Sequence, residues 1–135
     1  MNYEINKKKI LFSYVKKCFD FIDTEAELLC ETVYDYLMSS GAMENEVRAL
    51  AKRYELDNLL ERNGDELSGG ERKRIDIVRA LLSKRAVMIL DEPEVFLDSR
   101  WKEIISLDIY NSGKTCIYST HDPYFLDIAS KVVVI

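Results

Sequence analysis

The sequence predicts an α/β protein in which a helical part precedes a parallel sheet with flanking helices. From about residue 24 to residue 64, apolar side chains recur at helical spacing. From about residue 86 onward, short apolar runs alternate with helical segments, and this alternation is typical of a parallel sheet. An amphipathic segment between these regions predicts the helix that joins the two parts.

Two apolar stripes predict the first helices of the helical part. Their members are, in chain order, Leu29, Val33, Tyr36 and Leu37, followed by Val47, Leu50, Ala51 and Tyr54. The run Ser39-Ser40-Gly41 lies between the stripes and predicts a turn. We expect Tyr34, Tyr36 and Tyr54 in the core or at a subunit contact rather than stacked on a ligand.

The run Leu67-Ser68-Gly69-Gly70-Glu71 predicts a helix start that is able to hold a phosphate. Two glycines permit a tight turn and a close approach of the backbone, and Ser68 with Glu71 forms a capping-box pattern. The N–H groups and the positive dipole end of such a helix attract anions. Because the same run also serves as plain helix punctuation, its neighbours decide between the two interpretations.

Residues 71–83 predict an amphipathic helix. Its apolar positions are Ile75, Val78, Leu81 and Leu82, and its basic positions, expected to face water or a partner, are Arg72, Lys73, Arg74 and Arg79. This helix leads directly toward the predicted sheet.

The run Val87-Met88-Ile89-Leu90 predicts a parallel strand buried on both faces, and Pro93 ends it. Asp91 and Glu92 are thereby placed at the carboxyl end of a central strand, where open α/β sheets bind ligands. Two acids after an apolar run are also found where a strand simply returns to solvent. In the functional interpretation, one carboxylate holds Mg²⁺ and the other faces an attacking water as general base.

Two further segments complete the predicted α/β part. Asp98 is a suitable N-cap for a helix over residues 99–110. The run Thr115-Cys116-Ile117-Tyr118-Ser119 predicts another strand, and Asp122 with Pro123 predicts the next helix start. His121, the only histidine in the chain, precedes that start and is either a bystander or a ligand contact.

Composition excludes several classes of protein. The net charge of −5 and the pI near 5.0 argue against a general nucleic-acid or membrane-surface binder. The short lysine runs at 7–9 and 16–17 are expected on solvated faces. Cys18, Cys30 and Cys116 lack metal-site spacing, so a reduced, cytoplasmic setting is expected.

Taken together, these segments resemble ATP-binding cassette (ABC) ATPases. Residues 67–71 resemble the signature motif, 87–93 the Walker B strand, 97–98 the D-loop and 119–122 the switch-histidine loop. Arg79-Ala80-Leu81-Leu82 resembles the segment that joins signature helix and Walker B in transporter-type members. The resemblance implies a helical subdomain plus the C-terminal part of a P-loop NTPase (RecA-like) parallel sheet with flanking helices.

The resemblance also implies a division of roles. In the family, two cassettes enclose two ATP molecules, so the loop of Ser68, Gly69, Gly70 and Glu71 would contact ATP held by a second nucleotide-binding subunit. The implied roles of the remaining residues are Mg²⁺ ligand for Asp91, general base for Glu92, γ-phosphate contact for His121 and dimer seam for Asp98. The implied partners include a membrane-spanning permease, which would bring the cytoplasmic protein to the inner face of the membrane.

Upstream, the resemblance is weaker. Residues 1–23 resemble remnant strands leading to the Q-loop, with a hairpin at 2–7, a strand at 18–22 and Asp23 where the family has glutamine. Residues 24–85 then correspond to the helical subdomain and 86–135 to the α/β part, so that the whole chain is expected to be a partial ABC ATPase domain.

One motif of the family is missing from the sequence. The five glycines, at 41, 64, 69, 70 and 113, form no G-x-x-x-x-G-K-[ST] loop, so no lysine and backbone cradle for β- and γ-phosphates is present. We therefore expect a chain that is cut at both ends and inactive alone.

Two other hypotheses remain. The first is a non-catalytic module, either a degenerate cassette that lends its signature loop to a partner or an inactive fragment. The second is a DNA-repair or chromosome-type ABC ATPase. The short distance from signature to Walker B, the transporter-like segment and the lack of coiled-coil heptads disfavour the second.

Overall fold

The computed structural model describes residues 20–22, for which only the backbone is considered, and residues 32–132. Its strands are β1 (Asp20–Ile22), β2 (Val87–Asp91) and β3 (Thr115–Ser119). Its helices are α1 (Val33–Met38), α2 (Glu44–Arg53), α3 (Gly69–Leu82), α4 (Ser99–Asn111) and α5 (Pro123–Ile128), with 3₁₀ turns at Asp57–Leu59 and Gly64–Glu66. This order confirms the predicted α/β fold, in which a helical part precedes alternating strands and helices.

The three described strands form one parallel sheet in the order β1-β2-β3. Within this sheet β2 is central, as predicted. The register pairs Leu90 with Tyr118 and Asp91 with Ser119. Because parallel strands end at the same edge, the segments that follow β2 and β3 leave the sheet side by side.

The burial of β2 differs from the prediction on one face. Met88 and Leu90 are buried, whereas Val87 and Ile89, which point to the opposite face, are only half-buried. Complete burial on both faces is therefore wrong for the part of the chain that the structure describes. The described residues cover one face of this strand more fully than the other.

The helical part follows the two predicted stripes. Thr32 caps α1 by accepting a hydrogen bond from the Asp35 N–H at 3.1 Å. The predicted turn follows α1, and Gly41 adopts a φ of 81°, which favours glycine. The buried members of the stripes are Val33, Leu37, Val47, Ala51 and Tyr54.

Aromatic and charged groups join the helical part to the rest of the core. The rings of Tyr54 and Trp101 stack with centroids 5.6 Å apart, and the Arg74 guanidinium lies 4.4 Å from the Trp101 centroid. The Tyr54 hydroxyl donates to Asp108 of α4 at 2.9 Å. The expected core position of Tyr54 is thus confirmed.

Several predictions fall outside the described residues. They concern Leu29, Asp23, Cys18, Cys30, the hairpin at 2–7 and the two lysine runs. Cys116 lies within the described part, where it is a free, half-buried thiol whose pKa is raised by burial. Over residues 20–22 and 32–132, no helix has both the length and the apolar character needed to cross a bilayer.

Candidate functional site

The start of α3 carries the predicted capping box. The Ser68 hydroxyl accepts from the Glu71 N–H at 3.3 Å, and the Glu71 carboxylate accepts from the Ser68 N–H at 2.9 Å. This reciprocal pair fixes the first turn of a 14-residue helix. Helix geometry leaves the first N–H groups without acceptors inside the helix, so they point outward beside Gly69 and Gly70.

A neighbouring turn leaves little room for a side chain at either glycine. A Cβ on Gly69 would lie 3.0 Å from the Phe96 ring, and a Cβ on Gly70 would lie 2.9 Å from the Phe96 carbonyl oxygen. Phe96 itself adopts a φ of 67° and is 68 % exposed. The turn between β2 and α4 therefore lies directly against the start of α3.

Asp91 and Ser119 meet at the carboxyl end of the sheet. The Ser119 hydroxyl donates to Asp91 Oδ1 at 2.6 Å and accepts from the Glu92 N–H at 3.0 Å. The carboxylate of Asp91 is exposed, as a group that binds a cation from solution requires. One serine thus connects both candidate acids to the strand beside them.

Glu92 occupies an unusual backbone conformation. Its φ is 41°, in the left-handed region that non-glycine residues seldom adopt. Its carbonyl accepts from the Val95 N–H at 3.1 Å and from the Lys73 ammonium at 3.3 Å. Together with the hydrogen bond from its N–H to Ser119, these contacts hold the backbone of Glu92 through three hydrogen bonds.

Lys73 corrects one prediction. It was expected to face water or a partner, but it is only 4 % exposed because its side chain reaches from α3 to the Glu92 carbonyl. Burial lowers the pKa of Lys73, while the nearby carboxylates of Asp76, Asp91, Glu94 and Glu92 oppose that shift. Arg74 also differs from the prediction, because it is half-buried and donates to the Tyr54 carbonyl at 2.8 Å. The basic side of α3 is therefore partly an interior surface.

Glu94 is a residue that the sequence analysis missed. Its Oε1 accepts from the Thr120 hydroxyl at 2.7 Å and from the His121 N–H at 3.2 Å. Its Oε2 is buried and has no hydrogen-bond partner among the described residues. The imidazole of His121 belongs to an exposed residue. A third acid directly after Pro93 was the available signal, but nothing local indicated that it reaches the loop after β3.

Asp98 and Asp122 act as the predicted caps. Asp98 accepts from the Trp101 N–H at 2.9 Å at the start of α4. Asp122 accepts from the Tyr124 N–H at 3.0 Å at the start of α5 and from the Lys102 ammonium at 2.8 Å. A position of Asp98 at a dimer seam remains a prediction.

Asp76 is a second acid that the sequence analysis missed. It is 5 % exposed, and its Oδ1 accepts from the Tyr36 hydroxyl at 2.9 Å. Burial raises the pKa of Asp76 to about 6, although the Tyr36 hydrogen bond and the cations of Arg72, Lys73 and Arg79 act in the opposite direction. The helix α3 therefore contains a buried acid whose pKa lies well above its ordinary value.

Three segments are brought together by these contacts. The start of α3, the turn at 91–98 and the loop at 119–122 are connected through Phe96, Lys73, Ser119 and Glu94. In the described part, no three metal-ligating side chains cluster. Mg²⁺ at phosphate sites usually takes one or two carboxylates beside water and phosphate oxygens, so the exposed Asp91 fits such a role.

The parallel sheet and the helical part define an α/β protein that carries a candidate ligand site at the carboxyl edge of its sheet. The sequence profile described as ABC transporter matches residues 3–95. The chain is 32 % identical to a putative ABC transporter ATP-binding protein of Clostridium acetobutylicum, over 90 % of this chain and 55 % of that protein. The chain thus spans about half the length of that relative.

Two other comparisons agree. The sn-glycerol-3-phosphate import ATP-binding protein UgpC of Salmonella choleraesuis is 36 % identical over 72 % of this chain and 29 % of its own length. The solved structure of an RNase-L inhibitor superposes with a TM-score of 0.68 at 28 % identity, over 82 % of this chain and 23 % of that one. The chain belongs to the ABC transporter family of ATP-binding proteins, an ATP-hydrolysing class.

Proposed function

We propose that the chain is part of the ATP-binding subunit of an ABC transporter and offers the start of α3 to ATP held by another subunit. The observation that carries this proposal is the contact network that joins the capped helix start to Asp91, Glu92 and the loop of His121. The curated relatives, which include an import ATP-binding protein, support the transporter assignment. Residues 24–85 act as helical subdomain and 86–135 as α/β part.

The proposed chemistry follows from the positions of the groups. The N–H groups beside Ser68, Gly69 and Gly70 bind the γ-phosphate, and the Glu71 carboxylate keeps Ser68 in place. Glu92 orients and deprotonates the attacking water, and His121 contacts the γ-phosphate. Asp91 is the residue that would hold Mg²⁺, which supplies charge neutralisation when bound.

The partners follow from the proposed role of the loop at 67–71. Because this loop contacts ATP held by another subunit, it is half of a site and needs a second nucleotide-binding subunit. Asp98, two residues after the Phe96 that contacts this loop, lies at the subunit seam. A membrane permease completes the assembly and brings the cytoplasmic chain to the inner face of the membrane.

ATP turnover with a complete nucleotide-binding subunit from the same cells tests the proposal. The chain alone is expected to hydrolyse no MgATP. In the mixture, it should raise hydrolysis at least about tenfold, since backbone donors aimed at developing charge contribute on the order of 10²-fold. Ser68→Arg should remove the increase, whereas the exposed control Ser130→Arg should retain it.

Two results would contradict this proposal. An increase that survives Ser68→Arg would rule out the role of the loop. Hydrolysis by the chain alone that Glu92→Gln abolishes would rule out the need for a partner. If Ser68→Arg removes the increase and Glu92→Gln leaves it intact, the chain acts as a non-catalytic donor of its loop, which is the alternative that the sequence left open.

A further inference from the structure

Lys73 is a buried cation with a specific acceptor. It lies one turn after the capped start of α3, is 4 % exposed and donates to the Glu92 carbonyl at 3.3 Å. Lysine is almost never fully buried unless its ammonium is paired. A contact with one peptide group of another element, 19 residues along the chain, is therefore more than a packing accident.

The acceptor belongs to a strained peptide. Glu92 has a φ of 41°, which an L-residue keeps only when its surroundings impose it. Its N–H donates to Ser119 of β3 at 3.0 Å, so the two ends of the residue are bound by side chains from two different elements. Within this arrangement Lys73 is the contact from α3.

The surroundings explain why a cation is tolerated there. Asp76, Asp91 and Glu94 lie close enough to attract the ammonium electrostatically, as does Glu92 itself. Breaking a buried charged contact leaves the remaining partners uncompensated. Removing the ammonium should accordingly disturb the turn after β2 more than a surface substitution does.

We propose that Lys73 is a positioning residue that fixes the left-handed backbone of Glu92 and thereby orients its carboxylate relative to the start of α3. This inference rests on the proposed function, because the role of Glu92 as base belongs to that proposal. Lys73 touches no reacting atom and acts only through the Glu92 peptide.

Amide hydrogen exchange, resolved by NMR in the full chain, tests this inference. In Lys73→Met, which keeps the stem and loses the donor, the amides of Glu92 and Val95 should exchange at least about tenfold faster. The amide of Ile105 in the core of α4 should keep its rate. Lys73→Arg, which retains a charged donor, should restore protection to within about threefold of the unchanged chain.

The control is Lys84→Met, which removes an exposed lysine just beyond the end of the same helix. Unchanged exchange at Glu92 and Val95 in Lys73→Met overturns the inference. Equal acceleration at Ile105 also overturns it, because Lys73 would then support the fold in general. Should Lys73→Met not fold, Lys73→Leu, which also lacks a donor, replaces it under the same criteria.

This measurement needs neither nucleotide nor partner. A negative result would leave the Ser68-dependent stimulation of ATP hydrolysis untouched. Conversely, loss of that stimulation would not alter the exchange rates. The two proposals therefore fail separately.

Discussion

At the scale of single residues, the buried side of α3 contains opposite charges. Lys73 and Asp76 are both at most 5 % exposed, three positions apart on α3. Positions three apart on a helix are neighbours, so each reduces the cost of burying the other. The Tyr36 hydroxyl from α1 supplies the hydrogen bond that the buried Asp76 carboxylate requires. The pKa of this hydroxyl is raised, mainly by burial and also by the negative charge of Asp76.

Asp76 predicts a dependence of stability on pH. Its pKa rises from an ordinary 3.8 to about 6, so the folded state favours the protonated acid. Its contribution to stability is fully present below about pH 4 and is lost as the pH rises through about 6. Asparagine at position 76 cannot ionise and still accepts from Tyr36. The free energy of unfolding of Asp76→Asn, relative to the unchanged chain, should therefore increase by about 2–3 kcal/mol as the pH rises from 4 to 7.

Urea unfolding at pH 4, 5, 6 and 7 measures this difference. Asp57→Asn, at an exposed acid, serves as the matched control and should show no trend of that size. A difference between Asp76→Asn and the unchanged chain that stays constant with pH would contradict the prediction. The direction of the change with pH is decisive, because an acid that the fold stabilises in its charged form would make the advantage of the asparagine variant shrink as the pH rises.

At the scale of elements, each of the last three helices begins at a capping residue of its own. Ser68, Asp98 and Asp122 cap α3, α4 and α5 through bonds to N–H groups two or three positions ahead. Such contacts are encoded within a few residues, which is why the sequence predicted all three starts. The strands β2 and β3 were also predicted, because their short apolar and β-branched runs are local features of the sequence.

Asp98 allows a test of this local encoding. Asp98→Ala should lower the free energy of unfolding by about 1 kcal/mol, because the Trp101 N–H loses its acceptor. Asp98→Asn should retain most of the stability, since asparagine caps as well as aspartate does. Urea unfolding followed by circular dichroism gives both values. Equal losses for the two variants would show that the charge of Asp98, rather than its cap, supports α4.

Contacts between distant segments were not predictable in the same way. Lys73, Asp76 and Glu94 all occur in stretches whose local pattern suggests solvent, and each finds its partner 19 or more positions away. No periodicity identifies such partners, since they depend on how α1, α3 and the loop after β3 meet. The sequence therefore predicted which residues form the candidate site, whereas the hydrogen bonds that connect them could be seen only in the folded structure.

At the scale of the whole molecule, the helical and α/β parts are joined by a polar contact beside the Tyr54–Trp101 stack. Asp108 of α4 accepts from Arg53 at 2.6 and 2.9 Å and from the Tyr54 hydroxyl at 2.9 Å. The Arg53 side chain is 56 % exposed, so its ion pair contributes little. The buried hydroxyl of Tyr54 depends on Asp108 more strongly.

A double-mutant cycle separates these contributions. Asp108→Ala should destabilise the chain by about 1–2 kcal/mol, because it leaves the Tyr54 hydroxyl without its acceptor. Tyr54→Phe should cost less in the Asp108→Ala background than alone, by about 0.5–1.5 kcal/mol. Unfolding free energies of the four chains provide the comparison. Strict additivity would mean that the hydroxyl contact does not help to join the two parts.

The close approach of Phe96 to the start of α3 has a consequence for variation within the family. At position 69 the obstacle is an aromatic ring, so a side chain there requires that ring to shift or residue 96 to be smaller. At position 70 the obstacle is the carbonyl oxygen of residue 96, which no substitution removes. Among homologous sequences, residue 69 should therefore covary with residue 96, whereas glycine at 70 should persist even where ATP is no longer bound.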